Sequence, residues 1–356
     1  MRGKGLAIMS ENVVINRHVL KDKLLELFGT LGVSAEDAGM VADTLIKADQ
    51  WGVASHGVMR VERYVKCLQS GGILPKAEFT VEQQFGGWVR ASGNGGLGIP
   101  ASCKATELVI KLARENGIGV VNLRQSHHNG AEGVYADAIA REGMIGMVMS
   151  TGNPIMAITG SCEATIGNNP FAYAVPAGKY DTLMMDVAMS AVADGKIRVL
   201  KSMGKLLDPG CVLDKNGNPT IVPDEYLDGG VLLPFGAHKG YGLSVMVECM
   251  AGIMSGAALT HEINSWNEIP GHCGNTGHIF MAMDISKMMN VADYVKSVET
   301  MIEQFKVAKK AEGIAEIFYP GELEHRRAAQ AGENVSLLPD TCESLERACK
   351  ACGIQM

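Results

Sequence analysis

Apolar positions in the first 75 residues recur at helical spacing. Val41, Leu45 and Ala48 form one stripe behind Ser34-Ala35-Glu36-Asp37, a sequence with the form of a capping box. Val58, Val61, Val65 and Leu68 form a second stripe on a helix that starts at Ser55 and is closed by Gly71-Gly72 and Pro75. Beyond Pro75 the pattern mixes strands with helices. Residues 118–123, 144–149, 171–176, 183–187 and 279–283 read as strands, and residues 101–116, 131–142, 294–312 and 338–351 as helices. Residues 242–254 are apolar on nearly every face and predict a buried helix, whereas residues 205–234, rich in Gly, Pro and Asp, predict a long irregular excursion. Strands alternating with crossover helices imply an α/β fold. The expected division is a helical domain over residues 1–75, joined by C-terminal helices within 290–356, and a mixed α/β domain over 76–289.

Composition narrows the function classes. A chain of 356 residues, 47% hydrophobic and 20% charged, can bury a large core. No apolar run reaches the ~18 residues of a membrane span. The stretch 1–15 alternates charged and apolar residues without a signal-peptide pattern, so a cytoplasmic protein is expected. The net charge of −7 argues against a nucleic-acid partner but leaves room for a locally basic pocket and an anionic substrate. Nine cysteines without regular spacing read as reduced thiols, and Cys349-Lys350-Ala351-Cys352 as thiols on a helix face.

Three constellations carry candidate chemistry. In Ser55-His56-Gly57-Val58-Met59-Arg60, a continuous helix would put His56, Arg60 and Tyr64 at one-turn steps on one face. A guanidinium beside an imidazole suits a 2-oxo or 2-hydroxy acid: Arg60 holds the carboxylate and His56 exchanges a proton with the neighbouring oxygen. The alternative is a solvated helix face with an incidental histidine. Ser126-His127-His128-Asn129-Gly130 lies between a strand and a helix, where free backbone N–H groups bind anions; alternatively both histidines cap the turn. Gly236-Ala237-His238-Lys239-Gly240-Tyr241-Gly242 is either a phosphate site at a helix start or a glycine-rich turn with an exposed lysine. Gly93-Asn94-Gly95-Gly96-Leu97-Gly98 matches GxGxxG, but the preceding strand is short and mixed and no acidic residue ends the next one, which argues against a Rossmann site. His261, His272, Cys273 and His278 form no tight ligand pair, so no metal is expected.

Taken in order, these motifs resemble the malate/L-lactate dehydrogenase family, which also contains ureidoglycolate, sulfolactate and 2,3-diketogulonate enzymes and piperideine-carboxylate reductase. The resemblance runs from about residue 20 to residue 338. It adds Gly167-Asn168-Asn169-Pro170-Phe171-Ala172, Asp186-Val187-Ala188-Met189-Ser190, Ala193-Asp194-Gly195-Lys196-Ile197, Asn275-Thr276-Gly277-His278 and Pro320-Gly321-Glu322 to the motifs above. It implies a helical domain with a mixed-sheet nicotinamide-binding domain that is not Rossmann, in a homodimer with sites near the subunit interface. By position it implies proton transfer at Ser55, His56 and His128, with Lys196 near the centre, and substrate contacts at Arg60, Tyr64 and Asn168. It assigns NAD or NADP to Asn129, Gly130, Ala131, Asp186, Val187, Ala188, His238, Lys239, Pro320, Gly321 and Glu322.

Some positions depart from the family. His-Phe-Gly is His128-Asn129-Gly130 here, Thr-Asn-Pro is Asn168-Asn169-Pro170, and Ala-Thr-Ser is Ala188-Met189-Ser190. The implied reaction is hydride transfer between nicotinamide and a small 2-hydroxy or 2-oxo acid, malate first and lactate next. Ureidoglycolate dehydrogenase and cyclic imine reductase are the alternatives on the same scaffold. Lys196 favours oxygen substrates, because the imine reductases carry an acidic residue there. Outside this class stand a metal-dependent hydrolase using the scattered histidines and a catalytically silent binding protein.

Overall fold

The computed structural model describes residues 12–266 and 268–355. Of the N-terminal stretch read above for a leader, residues 1–11 lie outside it. No helix among the described residues is long and apolar enough to cross a membrane.

Helices α1 (Arg17–Thr30), α2 (Ala35–Gln50), α3 (Val61–Gln69) and α11 (Pro339–Ala351) bury one apolar core that includes Leu20, Phe28, Leu45, Val65 and Leu345. Ser34 caps α2 by accepting the Asp37 N–H at 3.1 Å. The returning half of the expected capping box is absent, because the Asp37 carboxylate instead pairs with Lys104 at 2.8 Å. Strand β1 (Val13–Asn16) pairs antiparallel with β14 (Asn334–Leu337), which ties a C-terminal segment to this helical cluster.

The main sheet contains β2 (Thr80–Phe85), β3 (Trp88–Ser92), β4 (Ile118–Ser126), β5 (Met144–Ser150), β8 (Phe171–Pro176), β9 (Thr182–Val187) and β13 (Thr276–Asp284). Its order is β2-β3-β4-β13-β5-β8-β9, and within it only β3 and β4 run parallel. Helices α4 (Gly98–Asn116) and α5 (Glu132–Arg141) cover one face. On α4 the buried positions Ala101, Ala105, Val109 and Leu112 recur every three or four residues.

The other face carries a small sheet of β6 (Met156–Ala157), β7 (Ala164–Ile166), β10 (Val212–Leu213), β11 (Pro219–Thr220) and β12 (Val231–Leu232). The segment expected to be irregular therefore supplies three short strands and, between two of them, α7 (Pro223–Leu227). These strands escaped the sequence because two residues carry no periodicity. Helix α6 (Asp194–Ser202) joins this layer, while α9 (Val291–Lys306) and α10 (Glu322–Ala331) lie towards the C-terminus.

Helix α8 (His238–Val247) continues as a π-helical turn, Glu248–Ile253. The expectation of a wholly buried helix over 242–254 is corrected. Val247 and Ala251 face the core, but Leu243, Val245, Ile253 and Met254 are exposed.

The glycines of the GxGxxG stretch run from the end of β3 to Gly98, the first residue of α4, and two of them show a packing role. A Cβ on Gly98 would stand 2.1 Å from the His127 carbonyl oxygen, and one on Gly96 2.6 Å from Ala77 Cβ. The first turn of α4 thereby seats directly under the histidine loop. Register brings the end of β4 beside the start of β13 (Ser126 opposite Thr276) and the end of β5 beside His278. The Ser126-His127-His128 loop and His278 thus meet at one end of the three central strands, where His128 stacks on His56 of the α2–α3 connection.

Candidate active site

The continuous helix expected from Ser55 does not form. Two 3₁₀ turns, Ala54–His56 and Val58–Arg60, precede α3, with extended backbone at Gly57 between them. The cause is Asp49 at the end of α2, a residue the sequence reading passed over. Its carboxylate accepts the Val58 N–H at 2.8 Å and presses on Gly57 so closely that a Cβ there would stand 2.2 Å from Oδ1. The kink leaves Ser55, His56, Arg60 and Tyr64 near one another all the same. Ser55 Oγ and His56 Nδ1 share a hydrogen bond of 2.9 Å, and Arg60 Nε donates to the Ser55 carbonyl at 2.6 Å. Burial lowers the His56 pKa to about 3, and the Arg60 guanidinium adds to the effect.

Burial raises the Asp49 carboxyl to about 7, against a backbone hydrogen bond that lowers it. The folded chain thus keeps a proton that the unfolded chain loses near the ordinary value of 3.8. The stability this gives is complete below that pH and is lost as pH rises through about 7. Asp49→Asn keeps an acceptor for Val58 and has no charge to bury. It is expected to unfold on the order of a few kcal/mol harder than the parent at pH 8, and equally near pH 4, in denaturant titrations.

His128 reaches the same place from the β4–α5 loop. Its ring stacks on His56 with centroids 5.5 Å apart and on Trp266 at 4.5 Å. Tyr64 is fully buried, and its hydroxyl lies 2.7 Å from His128 Nδ1. The Gly130 N–H also donates to Nδ1 at 3.3 Å. An N–H cannot accept, so Nδ1 is the unprotonated nitrogen and the proton of neutral His128 sits on Nε2. Burial, then Arg60 and the neighbouring histidines, holds the His128 pKa well below the ordinary value. His127 is buried edge-on to Trp266 at 5.7 Å.

Behind this layer His278 bridges two strand ends, with Nδ1 2.5 Å from Ser150 Oγ and Nε2 2.9 Å from Ser126 Oγ. It ties the ends of the central strands β4 and β5 together. Among the described residues no group of three or more His, Cys, Asp or Glu side chains is placed to hold a metal ion.

The positions matched to a nicotinamide cofactor fall into two neighbouring groups. Asn129, Gly130 and Ala131 lead into α5, whose N-cap has no side-chain hydrogen bond. The Gly133 N–H donates to Asp186 at the end of β9 at 2.8 Å. Pro320 accepts from the Met184 N–H, and a Cβ on Gly321 would stand 2.7 Å from Met184 Cγ, so this turn docks on the same strand. Glu322 faces away into an ion pair with Lys306 at 2.6 Å. In the second group, His238 and Lys239 are exposed at the start of α8, again without a side-chain cap. Gly240 seats that start against the Met189 carbonyl oxygen, next to Val187 and Ala188. Glu132 keeps one buried carboxyl oxygen without a partner, and burial raises its pKa to about 8. Uncapped helix starts, small residues and this orphaned polar atom fit a dinucleotide.

Lys196 is exposed on α6, whose preceding residue Gly195 lies 3.4 Å from Ser55 Cβ as judged by an added Cβ. Asn168 is half-buried, and its carbonyl accepts the Met189 N–H at 2.8 Å. Its neighbour Asn169 is a brace that donates to Glu248 at 2.7 Å and accepts from Gly152. Trp266 and Asp49 are the residues that motif reading missed. A lone tryptophan in a loop carries no pattern, and Asp49 reads as one more polar helix position.

The malate/L-lactate dehydrogenase family matches residues 15–346. The chain is 37% identical to a malate dehydrogenase of Pyrococcus horikoshii, over 85% of this chain and 86% of that one. It is 34% identical to a Δ¹-pyrroline-2-carboxylate/Δ¹-piperideine-2-carboxylate reductase of Pseudomonas syringae, over 75% and 78% of the two chains. The structure of a sulfolactate dehydrogenase from Methanocaldococcus jannaschii superposes with a TM-score of 0.90 at 30% identity, covering 96% of this chain and 98% of that one. By family match, by sequence and by fold, the chain belongs to the malate/L-lactate dehydrogenase family of oxidoreductases.

Proposed function

We propose that the protein reversibly reduces a small 2-oxo acid to the 2-hydroxy acid, with malate the first choice of product and lactate the second. The observation that carries this is the convergence of Arg60 with two neutral imidazoles, His56 and His128, stacked 5.5 Å apart. Arg60 binds the substrate carboxylate and Tyr64 and Asn168 help to define its place. His128 Nε2–H donates a hydrogen bond to the C2 oxygen. His56, bonded to Ser55, exchanges the proton with that oxygen. Burial is the larger cause that depresses His56 and the Arg60 charge the smaller; a carboxylate on Arg60 offsets the second and so raises the proton affinity of His56 in part. Lys196 adds positive charge at the edge of the site.

NAD or NADP would be held by Asn129, Gly130, Ala131, Asp186, Val187, Ala188, His238, Lys239 and the Pro320-Gly321-Glu322 turn. When bound, this group supplies or accepts the hydride; the chain orients the acid and manages the proton. The reading places the protein in the cytoplasm and divides it into a helical part over 1–75, joined by C-terminal helices within 290–356, and a mixed α/β cofactor- and substrate-binding part over 76–289. It also makes the protein a homodimer. Phe85 and Trp88 on the β2–β3 hairpin are exposed, and Trp88 Nε1 bonds Asn122 at 2.7 Å, which in turn donates to the Met250 carbonyl. Asn122 thus links the hairpin to the π-helical turn, and the exposed Phe85, Trp88, Ile253 and Met254 offer apolar area suited to a second copy. Light scattering is expected to give twice the chain mass, and Ile253→Lys to shift the mass towards one chain.

The test of the reaction is a panel of 2-oxo acids and cyclic imines with NADH and NADPH, followed at the nicotinamide absorbance band. Turnover is expected with 2-oxo acids. Turnover with cyclic imines alone would favour the reductase chemistry of the Pseudomonas relative, and no turnover with any 2-oxo acid would overturn the reading. In the oxidation direction, the site needs a neutral base. With the His56 pKa near 3, kcat/KM is expected to show no acid limb around 6.5.

A further inference from the structure

Trp266 belongs to none of the motifs and takes no part in the proposed proton or hydride transfer. It stands in the long connection between the π-helical turn, which ends at Ile253, and β13, which begins at Thr276. Yet it is buried with the core of the helical cluster, so the connection crosses from the sheet to the helices. There its ring stacks on His128, with centroids 4.5 Å apart and planes 14° from parallel. The Arg60 guanidinium stands over the same ring, 5.9 Å from its centre. Tyr64, whose hydroxyl bonds His128 Nδ1, lies against it at 5.4 Å.

An imidazole held at one nitrogen can still turn about its side-chain bonds, and the torsion next to the ring is a soft one. Tyr64 and Gly130 hold His128 at Nδ1, which leaves a rotation that sweeps Nε2–H through the site. Stacking removes it. His128 lies nearly parallel to two rings, His56 at 5.5 Å and Trp266 at 4.5 Å, and turning it breaks both contacts. The indole also supports Arg60 through a cation–π contact. One rigid ring therefore spaces the group that holds the carboxylate from the group that meets the C2 oxygen.

The indole is placed from the helical side. Cys67 on α3 donates its thiol to the Trp266 carbonyl at 4.0 Å. Beyond Trp266 the connection presses on the turn that ends α3. A Cβ on Gly72 would stand 2.1 Å from the Pro270 carbonyl oxygen and 3.0 Å from the His272 nitrogen. Gly72 is not among the glycines with positive φ, so this close approach is what requires a glycine there. We propose that Trp266 is a positioning residue: seated against the end of α3 through Gly72, it aims the Nε2–H of His128 and fixes its spacing from Arg60. Gly72 thereby controls the site from outside it, because a methyl group at this position must push Pro270, and Trp266 with it, away from α3.

This inference rests on the proposed reaction, and its test separates the two. kcat and KM are measured for the 2-oxo acid reduced fastest, in the parent, Trp266→Phe, Trp266→Leu and Gly72→Ala. Trp266→Leu is expected to lower kcat roughly 10- to 100-fold, with a smaller change in KM. Trp266→Phe keeps a flat ring and should keep most of the kcat, and Gly72→Ala should lose kcat with every group of the site intact. Because Trp266 acts on kcat through His128, adding Trp266→Leu to His128→Phe should cost little further kcat. An unchanged kcat in folded Trp266→Leu overturns the positioning role, as does an equally large loss in the His128→Phe background.

A second readout needs no turnover. NMR of the full chain labelled with ¹⁵N in its histidines, with His128→Phe to assign the signal, reads the His128 ring directly. The parent is expected to show the single Nε2–H tautomer, and Trp266→Leu an average of two tautomers as the ring comes loose. In Gly72→Ala the upfield ring-current shift of the His128 ring protons should shrink as the indole moves away. One tautomer in Trp266→Leu, or an unmoved shift in Gly72→Ala, contradicts the proposal. If both signals change as expected while the parent reduces no 2-oxo acid, the proposed reaction fails and the positioning role stands.

Discussion

His56→Gln is expected to lower kcat by about 10²–10⁴-fold, with a much smaller change in the KM of the 2-oxo acid. Glutamine can hold the position and bond Ser55, but it cannot exchange a proton. His128 makes the contrast. Its Nδ1 accepts from Tyr64 and Gly130, which leaves Nε2–H as a fixed donor. A glutamine amide also donates, so His128→Gln should keep most of the activity that His128→Phe loses. Steady-state kinetics on the three variants reads the division of labour. If His128→Gln suffers the large loss of kcat while His56→Gln turns over normally, the proton is exchanged at His128. The two single losses should not multiply in the double variant, because both groups act on one oxygen.

The second large effect concerns Arg60. Arg60→Ala is expected to lower kcat/KM by roughly 10²-fold or more, mainly through KM, because it removes the charge that pairs with the substrate carboxylate. Arg60→Lys should recover only part of this, since an ammonium lacks the planar fork. The guanidinium also depresses His56. Removing it leaves burial, the larger cause, in place, and is therefore expected to raise the His56 pKa only in part and to move any acid limb of the oxidation profile to higher pH in the alanine variant. A purely structural Arg60, holding the Ser55 carbonyl at 2.6 Å, would move stability without moving this limb.

Much of this architecture is legible in the chain. The stripes through Val41-Leu45 and Val58-Val65 mark two buried helices, and the apolar runs before His127 and after Glu142 mark β4 and β5. Strands of two residues, such as Val212–Leu213, fall below any period. The apolar stretch after Gly242 predicts more burial than the fold provides, because an exposed apolar face and a buried one have the same composition. In the site, motifs locate His56, Arg60 and His128, but not the forces that bring them together. Gly57 is required by a carboxylate eight residues earlier, and Trp266 arrives from a loop far along the chain. Such long-range contacts leave no trace in local spacing.

The central claim is hydride transfer to C2 of a 2-oxo acid, and isotope transfer tests it most directly. The enzyme is supplied with nicotinamide cofactor deuterated at the transferable C4 position and with oxaloacetate or pyruvate, and the product is read by NMR. The account predicts a 2-hydroxy acid of one hand carrying deuterium on C2. A product with no deuterium at C2, or cofactor that keeps its label while the acid is consumed, would contradict it.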